Sequence, residues 1–289
     1  MDLSVITVTH NDKDQILGQI PTVISGANNI SWEQWVVDNA SSDDALKMIE
    51  NIFSQVKIIR NEVNTGFGYA NNQAALRSTG EFLLFLNPDM RVELGSLDKL
   101  IVWMRAHPEV GIASCKLLDT NGKLNENAKP RRFPRLFDQV AILLKLPHLF
   151  PKMLGGYLYK NFNPDIEQEV DSVRGSFMLM RRTLYNKLGW AFDPRYYLWF
   201  EDVDTCRECV KNGMKVMYTP IISCVDFVGQ SFQKKDLLWK QKVVTKSMLQ
   251  YFQKWEPWYK WIWIALLRPM VIVSAAAASI FVKKNNLHE

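Results

Sequence analysis

Two acidic stations stand at the ends of apolar runs. Phe82-Leu-Leu-Phe-Leu86 runs into Asn87-Pro-Asp89, and more than a hundred positions later Tyr196-Tyr-Leu-Trp-Phe200 runs into Glu201-Asp202-Val203-Asp204. A short apolar run closed by a turn signal reads as a buried strand, so Asp89 is expected just past a strand's carboxyl end, where open α/β sheets bind ligands. An aspartate there is a hard oxygen ligand, suited to Mg²⁺ or Mn²⁺ on a diphosphate, although Asn-Pro-Asp can also simply start a turn. At the second station one carboxylate could take a proton from an acceptor hydroxyl while the aromatics exclude water. Acidic residues also favour the first turn of any helix. Together the stations suggest group transfer from a nucleotide.

Other polar groups gather at strand-to-helix turns. Asp38 is followed by Asn39-Ala-Ser-Ser-Asp43, where a carboxylate could accept hydrogen bonds from a base or ribose, or could merely cap a helix. Asn64-Thr-Gly66-Phe67-Gly68, with Asn71 and Asn72 beyond, is a small-residue turn open to close backbone approach. It matches neither a Walker loop nor a dinucleotide fingerprint. Cys206 and Cys209 have CxxC spacing without a second ligand pair, so they are expected to be ordinary buried thiols.

The elements that must position these groups alternate. Leu3 to Thr9, Trp35 to Asp38, Val56 to Ile59 and Phe82 to Leu86 read as strands. Helices are expected over 12–25, from the Ser41 to Asp43 cap region to about 54, over 67–78 and over 97–106, with a strand from Val110 to Cys115. Repeated βα predicts a mainly parallel twisted sheet flanked by helices. Regularity breaks over 120–164, read as an insertion on the acceptor side. It returns with a Gly-containing strand from Val173 to Met180, a helix from Asp202 to the Asn212-Gly213 stop and a strand from Lys215 to Tyr218. The expected division is a transferase domain over 1–225, with a nucleotide part to about 115, and a helical region over 226–289.

The C-terminal region differs in character. Trp255, Trp258, Trp261 and Trp263 precede Arg268-Pro269 and an apolar stretch from Met270 to Val282 closed by Lys283-Lys284. Thirteen such residues fall short of the ~20 that cross a bilayer, and Pro269 interrupts a longer count. A peripheral, monotopic anchor over about 255–284 is therefore expected on an anionic leaflet, ahead of a hairpin packed on the protein's own core or on a second subunit.

Composition narrows the function classes. With 289 residues, 47% of them hydrophobic, the chain can bury a large core. A net charge of +5 from 35 basic and 30 acidic residues, without a long basic run, gives no nucleic-acid footprint. Four unevenly placed cysteines and the absence of a signal-like opening fit a reducing cytosolic setting.

In order, Thr9-His10-Asn11, Val37 to Asp43, Asn64 to Gly68 with Asn71-Asn72, Leu86 to Asp89, Arg174-Gly-Ser-Phe-Met178 and Phe200 to Asp204 resemble the family 2 glycosyltransferases with a GT-A fold. Arg131-Arg-Phe-Pro134 and Ser247 to Lys254 are most similar to the bacterial rhamnosyltransferases of O-antigen and related cell-surface polysaccharides. The resemblance implies that Asp38 contacts the base, with Thr9, Asn11, Asn39, Asn64, Gly66, Phe67, Asn71, Asn87 and Gly175 completing the nucleotide-sugar site. It implies Asp89 as the metal ligand and Asp202 as catalytic base with Glu201 beside it. Trp199, Arg131 and Arg132 are assigned to the acceptor, since guanidinium forks suit a lipid diphosphate, although exposed loop arginines are also often only solvated.

The implied reaction inverts the anomeric centre, moving L-rhamnose from dTDP-L-rhamnose to a polyprenyl-diphosphate-linked saccharide at the cytoplasmic face of the inner membrane. Two positions depart from the pattern. His10 stands where a tyrosine is common, and Cys224-Val-Asp226-Phe-Val-Gly229-Gln-Ser231 lacks the histidine that often precedes Gly-x-Ser, which leaves Asp226 as the substitute ligand. The same chemistry with a UDP-hexose or UDP-galactofuranose, and a non-catalytic membrane scaffold, remain open. A nucleotidyltransferase would call for a Gly-rich basic loop after the first strand, which the chain lacks.

Overall fold

The computed structural model describes residues 1–227 and 236–285. Gly229 and Ser231 lie outside the described residues. The first half is the alternation read above: β1 Leu3–Thr9, α1 Lys13–Gly26, β2 Trp32–Asp38, α2 Ala45–Ile52, β3 Lys57–Arg60, α3 Phe67–Arg77 and β4 Phe82–Leu86. β5 Met90–Val92, α4 Ser96–Ala106 and β6 Val110–Leu118 follow, then α5 Leu136–Leu143 and a 3₁₀ turn Leu146–His148. After β7 Gln168–Glu169 come β8 Phe177–Arg181, α6 Arg182–Leu188, α7 Glu201–Lys211 and β9 Lys215–Asp226. Two long helices close the chain, α8 Leu237–Trp255 and α9 Trp258–Asn285.

All strands join one sheet in the order β3-β2-β1-β4-β8-β6-β9-β5, with β7 on β9. β3, β2, β1 and β4 run parallel, as helical crossovers require. Beyond β4 the directions mix: β8 is antiparallel to β4 and β6, β6 is parallel to β9, and β5 and β7 are antiparallel to β9. This α/β architecture is the expected class, with its parallel half on the side of the expected nucleotide part.

β4 shows why an unbroken apolar run makes a central strand. Phe82, Leu84 and Leu86 pack into one core cluster with Leu3 and Val5, while Leu83 and Phe85 face the opposite cluster with Ile6 and Val37. The period of two puts successive side chains on opposite faces, so both faces need apolar residues. Truncating fully buried Phe85 to Ala would cost about 3–5 kcal/mol.

Three expectations shift. The Gly-containing strand begins only at Phe177, because Gly175 lies in a loop whose added Cβ would meet Phe67 and the Asp202 Cβ at 3.3–3.4 Å. β9 extends to Asp226 because β5, β6 and β7 all pair with it. Pro269 does not end α9: a proline removes one backbone donor yet can be carried inside a helix whose other turns hold. The apolar stretch is therefore 22 residues, Trp258–Ser279, long and apolar enough to cross a membrane by length and composition. Little of it is fully buried, and two of the four tryptophans are taken up internally, since Trp255 and Trp261 pack in the cluster where α8 and α9 meet Leu143 and Tyr196.

Candidate active site

A cleft of about 550 Å³ opens at the carboxyl ends of β1 and β4, a volume suited to a nucleotide-sized ligand. Thr9, Asn11, Asn39, Asn64, Gly66, Phe67, Asn87, Asp89 and Asp226 all line it. Fully buried Gln19, on α1, fixes the end of β4 by donating from Nε2 to the carbonyls of Leu86 at 3.2 Å and Asn87 at 2.9 Å. Asn87 N–H in turn donates to the Ser176 carbonyl at 2.9 Å. The turn carrying Asp89 is thus tied to α1 and to the β8 loop.

β5 then does what the sequence left open. Met90 pairs with Asp226 across the β5–β9 ladder, and Phe227 N–H donates to the Asp89 carbonyl at 2.9 Å, so Asp89, just before β5, and Asp226, at the end of β9, come together at the same cleft. Asn125 Nδ2 donates to Asp226 Oδ2 at 2.9 Å. The donor set fits a divalent ion held by one or two carboxylates and completed by substrate phosphates. Among the described residues no group of three or more His, Cys, Asp or Glu forms a self-sufficient metal site.

On the opposite wall, Asn39 Nδ2 donates to Asn64 Oδ1 at 3.0 Å, the Thr65 N–H returns to Asn39 Oδ1 at 2.9 Å, and the Tyr197 hydroxyl donates to Asn64 Oδ1 at 3.0 Å. Gly66 has φ +88°, and a Cβ there would lie 2.4 Å from the Tyr197 carbonyl, which accepts the Phe67 N–H at 2.9 Å. Only glycine meets both demands.

The second acidic station is presented by a strained turn. Trp199 and Phe200 both have left-handed backbones, φ +65° and +71°, a conformation worth about 1–3 kcal/mol each for non-glycine residues. Supports come from α8: Ser247 Oγ donates to the Leu198 carbonyl at 2.8 Å and the Tyr251 ring packs 5.5 Å from Phe200. Asp202, part-exposed, then accepts the Gly175 N–H at 3.1 Å, between the cleft-lining Arg174 and Ser176. It borders the cleft rather than lining it.

Several assigned residues do not reach the cleft. Glu201 is buried, and burial followed by the charge of Asp202 pushes its carboxyl well above the ordinary range. Successive helical residues point about 100° apart, so these neighbouring carboxylates cannot both face the ligand. Asp38 is 6% exposed and accepts the Ser41 N–H at 3.2 Å, the local turn role. Asn71 donates to the Phe67 carbonyl at 2.9 Å inside α3. Arg132 lies over the Tyr159 ring, and Arg131 over Tyr157 while its backbone pairs with Ser172. The Trp199 ring sits 6.0 Å from Trp239, which does line the cleft. All four cysteines are buried, and burial raises each thiol above its ordinary range.

Residues 4–189 match the family model described as Glycosyl transferase family 2. The chain belongs to that family. Among its relatives, N-acetylglucosaminyl-diphospho-decaprenol L-rhamnosyltransferase of Mycobacterium tuberculosis is 26% identical over 198 residues, 64% of this chain and 63% of that protein. The match thus spans less than two thirds of the mycobacterial protein. Rhamnosyltransferase WbbL of Escherichia coli K12 is 26% identical over 250 residues, 82% of this chain and 89% of that one. GalNAc-T7 shares the fold with a TM-score of 0.63 at 16% identity, over 90% of this chain and 49% of that one. The mannosyltransferase PcManGT of Pyrobaculum calidifontis does so with a TM-score of 0.58 at 18% identity, over 96% and 73%. These likenesses identify the sheet as a GT-A fold.

In this family 2 glycosyltransferase, the structure adds cleft residues that sequence reasoning passed over. Arg174 lines the cleft within electrostatic reach of Asp202 and Asp226, and burial pulls its pKa down while those carboxylates oppose the shift. Its sequence signal is a cation set directly against the Gly175-Ser176 turn. Asn125 and Asn127 come from the Asn-rich 120–135 segment, which does reach over the cleft. His10 lines it too, with Nδ1 3.0 Å from the Asn39 carbonyl. Trp239 had no sequence signal.

Proposed function

We propose that this glycosyltransferase moves L-rhamnose from dTDP-L-rhamnose to a polyprenyl-diphosphate-linked saccharide, with inversion, at the cytoplasmic face of a bacterial inner membrane. The observation that carries the reading is the meeting of Asp89 and Asp226 in one cleft with Arg174, bordered by Asp202. The rhamnosyl group and a lipid-linked acceptor are supported by two relatives whose names state rhamnosyl transfer, one of them to a diphospho-decaprenol-linked sugar. PcManGT was solved with GDP-Man and Mn²⁺, which supports a nucleotide sugar and a divalent ion here.

The nucleotide sugar would lie along residues from the 1–115 part, with Asn39, Asn64 and Gly66 at its nucleoside end and the diphosphate toward Asp89. A divalent ion, Mg²⁺ or Mn²⁺, held by Asp89 and Asp226 would offset the charge that develops on the leaving diphosphate. Arg174, which stays protonated even when buried, adds fixed positive charge beside it. The acceptor hydroxyl oxygen attacks the anomeric carbon opposite the diphosphate. The C1–O bond breaks with its electron pair leaving on the diphosphate, and the hydroxyl proton passes to Asp202, oriented by the Gly175 N–H. One displacement turns a β-linked donor into an α-linked product.

The membrane reading rests on α9. Tyr259, Trp263, Leu266, Met270 and Val273 recur at spacings of four and three and are each more than half exposed, a continuous apolar stripe along one face. Such a face fits a monotopic anchor.

The test is transfer from a panel of nucleotide sugars to a lipid-diphosphate N-acetylglucosamine analogue, with Mg²⁺, Mn²⁺ or chelator. Metal-dependent rhamnosylation, lost by at least a hundredfold in Asp202→Asn, is expected for a missing general base, whose share is about 10²–10⁴-fold. Transfer from a UDP-sugar instead would replace the donor, and unchanged activity in Asp202→Asn would overturn the assignment of the base.

A further inference from the structure

A second hollow, of about 230 Å³, lies where α5, α8 and α9 meet. Leu143 and Leu144 wall it from α5 and the residue after it, Leu237 from α8, and Leu267 and Val271 from α9, while small Ser274 and Ala275 leave the space open. Walls of this kind call for an apolar occupant, and the volume is below that of ordinary small-molecule sites, so it suits a length of chain rather than a compact molecule.

Its position relative to the cleft names the chain. Leu237 and Gln241 line the hollow, and Trp239, between them on the same helix, lines the cleft. Residues two apart on a helix point about 200° apart, so the first turns of α8 form a shared wall with the hollow on one side and the cleft on the other, roughly 10 Å of helix between them. Met270 belongs both to the hollow and to the exposed apolar stripe of α9, so the hollow opens on the face assigned to the membrane. Lys145 stands at its edge, a cation suited to a diphosphate.

We infer that the hollow holds the first isoprene units of the acceptor's polyprenyl chain, so that the diphosphate passes near Lys145 and the saccharide turns around α8 into the cleft. This rests on the lipid-diphosphate acceptor proposed above. It assigns acceptor recognition to α5, α8 and α9 in place of the Arg131 and Arg132 loop.

The experiment uses the full chain and a prenyl-diphosphate N-acetylglucosamine with a diazirine in its first isoprene units. Photolabelling is expected on the peptides around 143–145 and 267–275, competed by unlabelled prenyl-diphosphate sugar and not by phospholipid vesicles. In Ser274→Trp, which fills the hollow from an exposed position, KM for the long-chain acceptor should rise at least tenfold while a methyl-diphosphate acceptor, with no chain to place there, is used unchanged. Lys145→Glu, an exposed substitution that leaves the apolar walls intact, should raise KM for both diphosphates. Label elsewhere, equal competition by phospholipid, or equal effects of Ser274→Trp on both acceptors would overturn the inference. If no acceptor is glycosylated, the reaction proposed above fails, and labelling still decides the hollow by itself.

Discussion

Lys254→Met is a perturbation whose size the structure sets. Lys254 Nζ lies 3.0 Å from Asp193, 2.7 Å from Asp204 and 2.9 Å from Glu208, with its own side chain 13% exposed and that of Asp204 fully buried. Trp255 Nε1 donates to Asp204 at 2.6 Å and the Tyr196 hydroxyl at 3.2 Å, so this cluster ties the end of α8 to α7 and to the loop that leads to Asp202. A methionine keeps most of the stem's volume and removes the one ammonium that all three carboxylates share. Breaking a buried ion pair from one side costs about 3–5 kcal/mol, because the remaining charge stays out of water. At roughly 2 °C per kcal/mol for a chain of this size, Tm should fall by about 6–10 °C in scanning calorimetry near neutral pH. Adding Asp204→Asn to Lys254→Met removes the most deeply buried of the three stranded charges and should restore part of the loss. A fall of less than about 2 °C, or a double variant less stable than the single one, would refute the idea that the ammonium offsets those buried carboxylates.

Gly66→Ala places a Cβ 2.4 Å from the Tyr197 carbonyl at φ +88°, so a loss of about 1–3 kcal/mol and a raised KM for the nucleotide sugar are expected from calorimetry and kinetics. Glu201 retains its proton when folded, because burial and then Asp202 raise its pKa, whereas the unfolded chain releases it above about 4.5. Wild-type stability from this group therefore falls as pH rises from there toward the raised folded value, and Glu201→Gln, which does not titrate, should gain in Tm over wild type as the pH rises above about 4.5. A pH-independent difference would contradict the burial argument, and transfer activity should stay within a few fold. Asp226→Asn should raise the half-saturating Mn²⁺ or Mg²⁺ concentration by about tenfold or more, read in metal titrations of transfer, whereas an unchanged titration would remove Asp226 from the site.

The sequence by itself determined the parallel half of the sheet and the turns that end its strands. β1 and β4 are apolar on both faces, and such runs have few other stable settings than the centre of a sheet covered on both sides. Asn39, Asn64, Gly66 and Asn87 reach the cleft because each follows a strand's carboxyl end, a position fixed by local order alone. Asp38, Asn71 and Glu201 had the right types and neighbourhoods, yet backbone groups or burial claim them, and such competition depends on side-chain direction within one turn.

Tertiary structure alone decided what pairs far along the chain. The three residues of β5 carry no pattern of their own, and only the ladder with β9, about 135 positions on, puts Asp226 next to Asp89. Arg174 and Trp239 enter the cleft for the same reason: one arrives in the loop before β8, the other on a helix that Lys254 anchors from its far end. α9 continues through Pro269 and leaves its apolar stripe exposed, which local propensity could not show because the stripe is defined by what fails to cover it. Local sequence sets which strands can form, but contacts between distant segments are chosen by the free energy of the whole packed core, and the site's charges sit where those contacts meet.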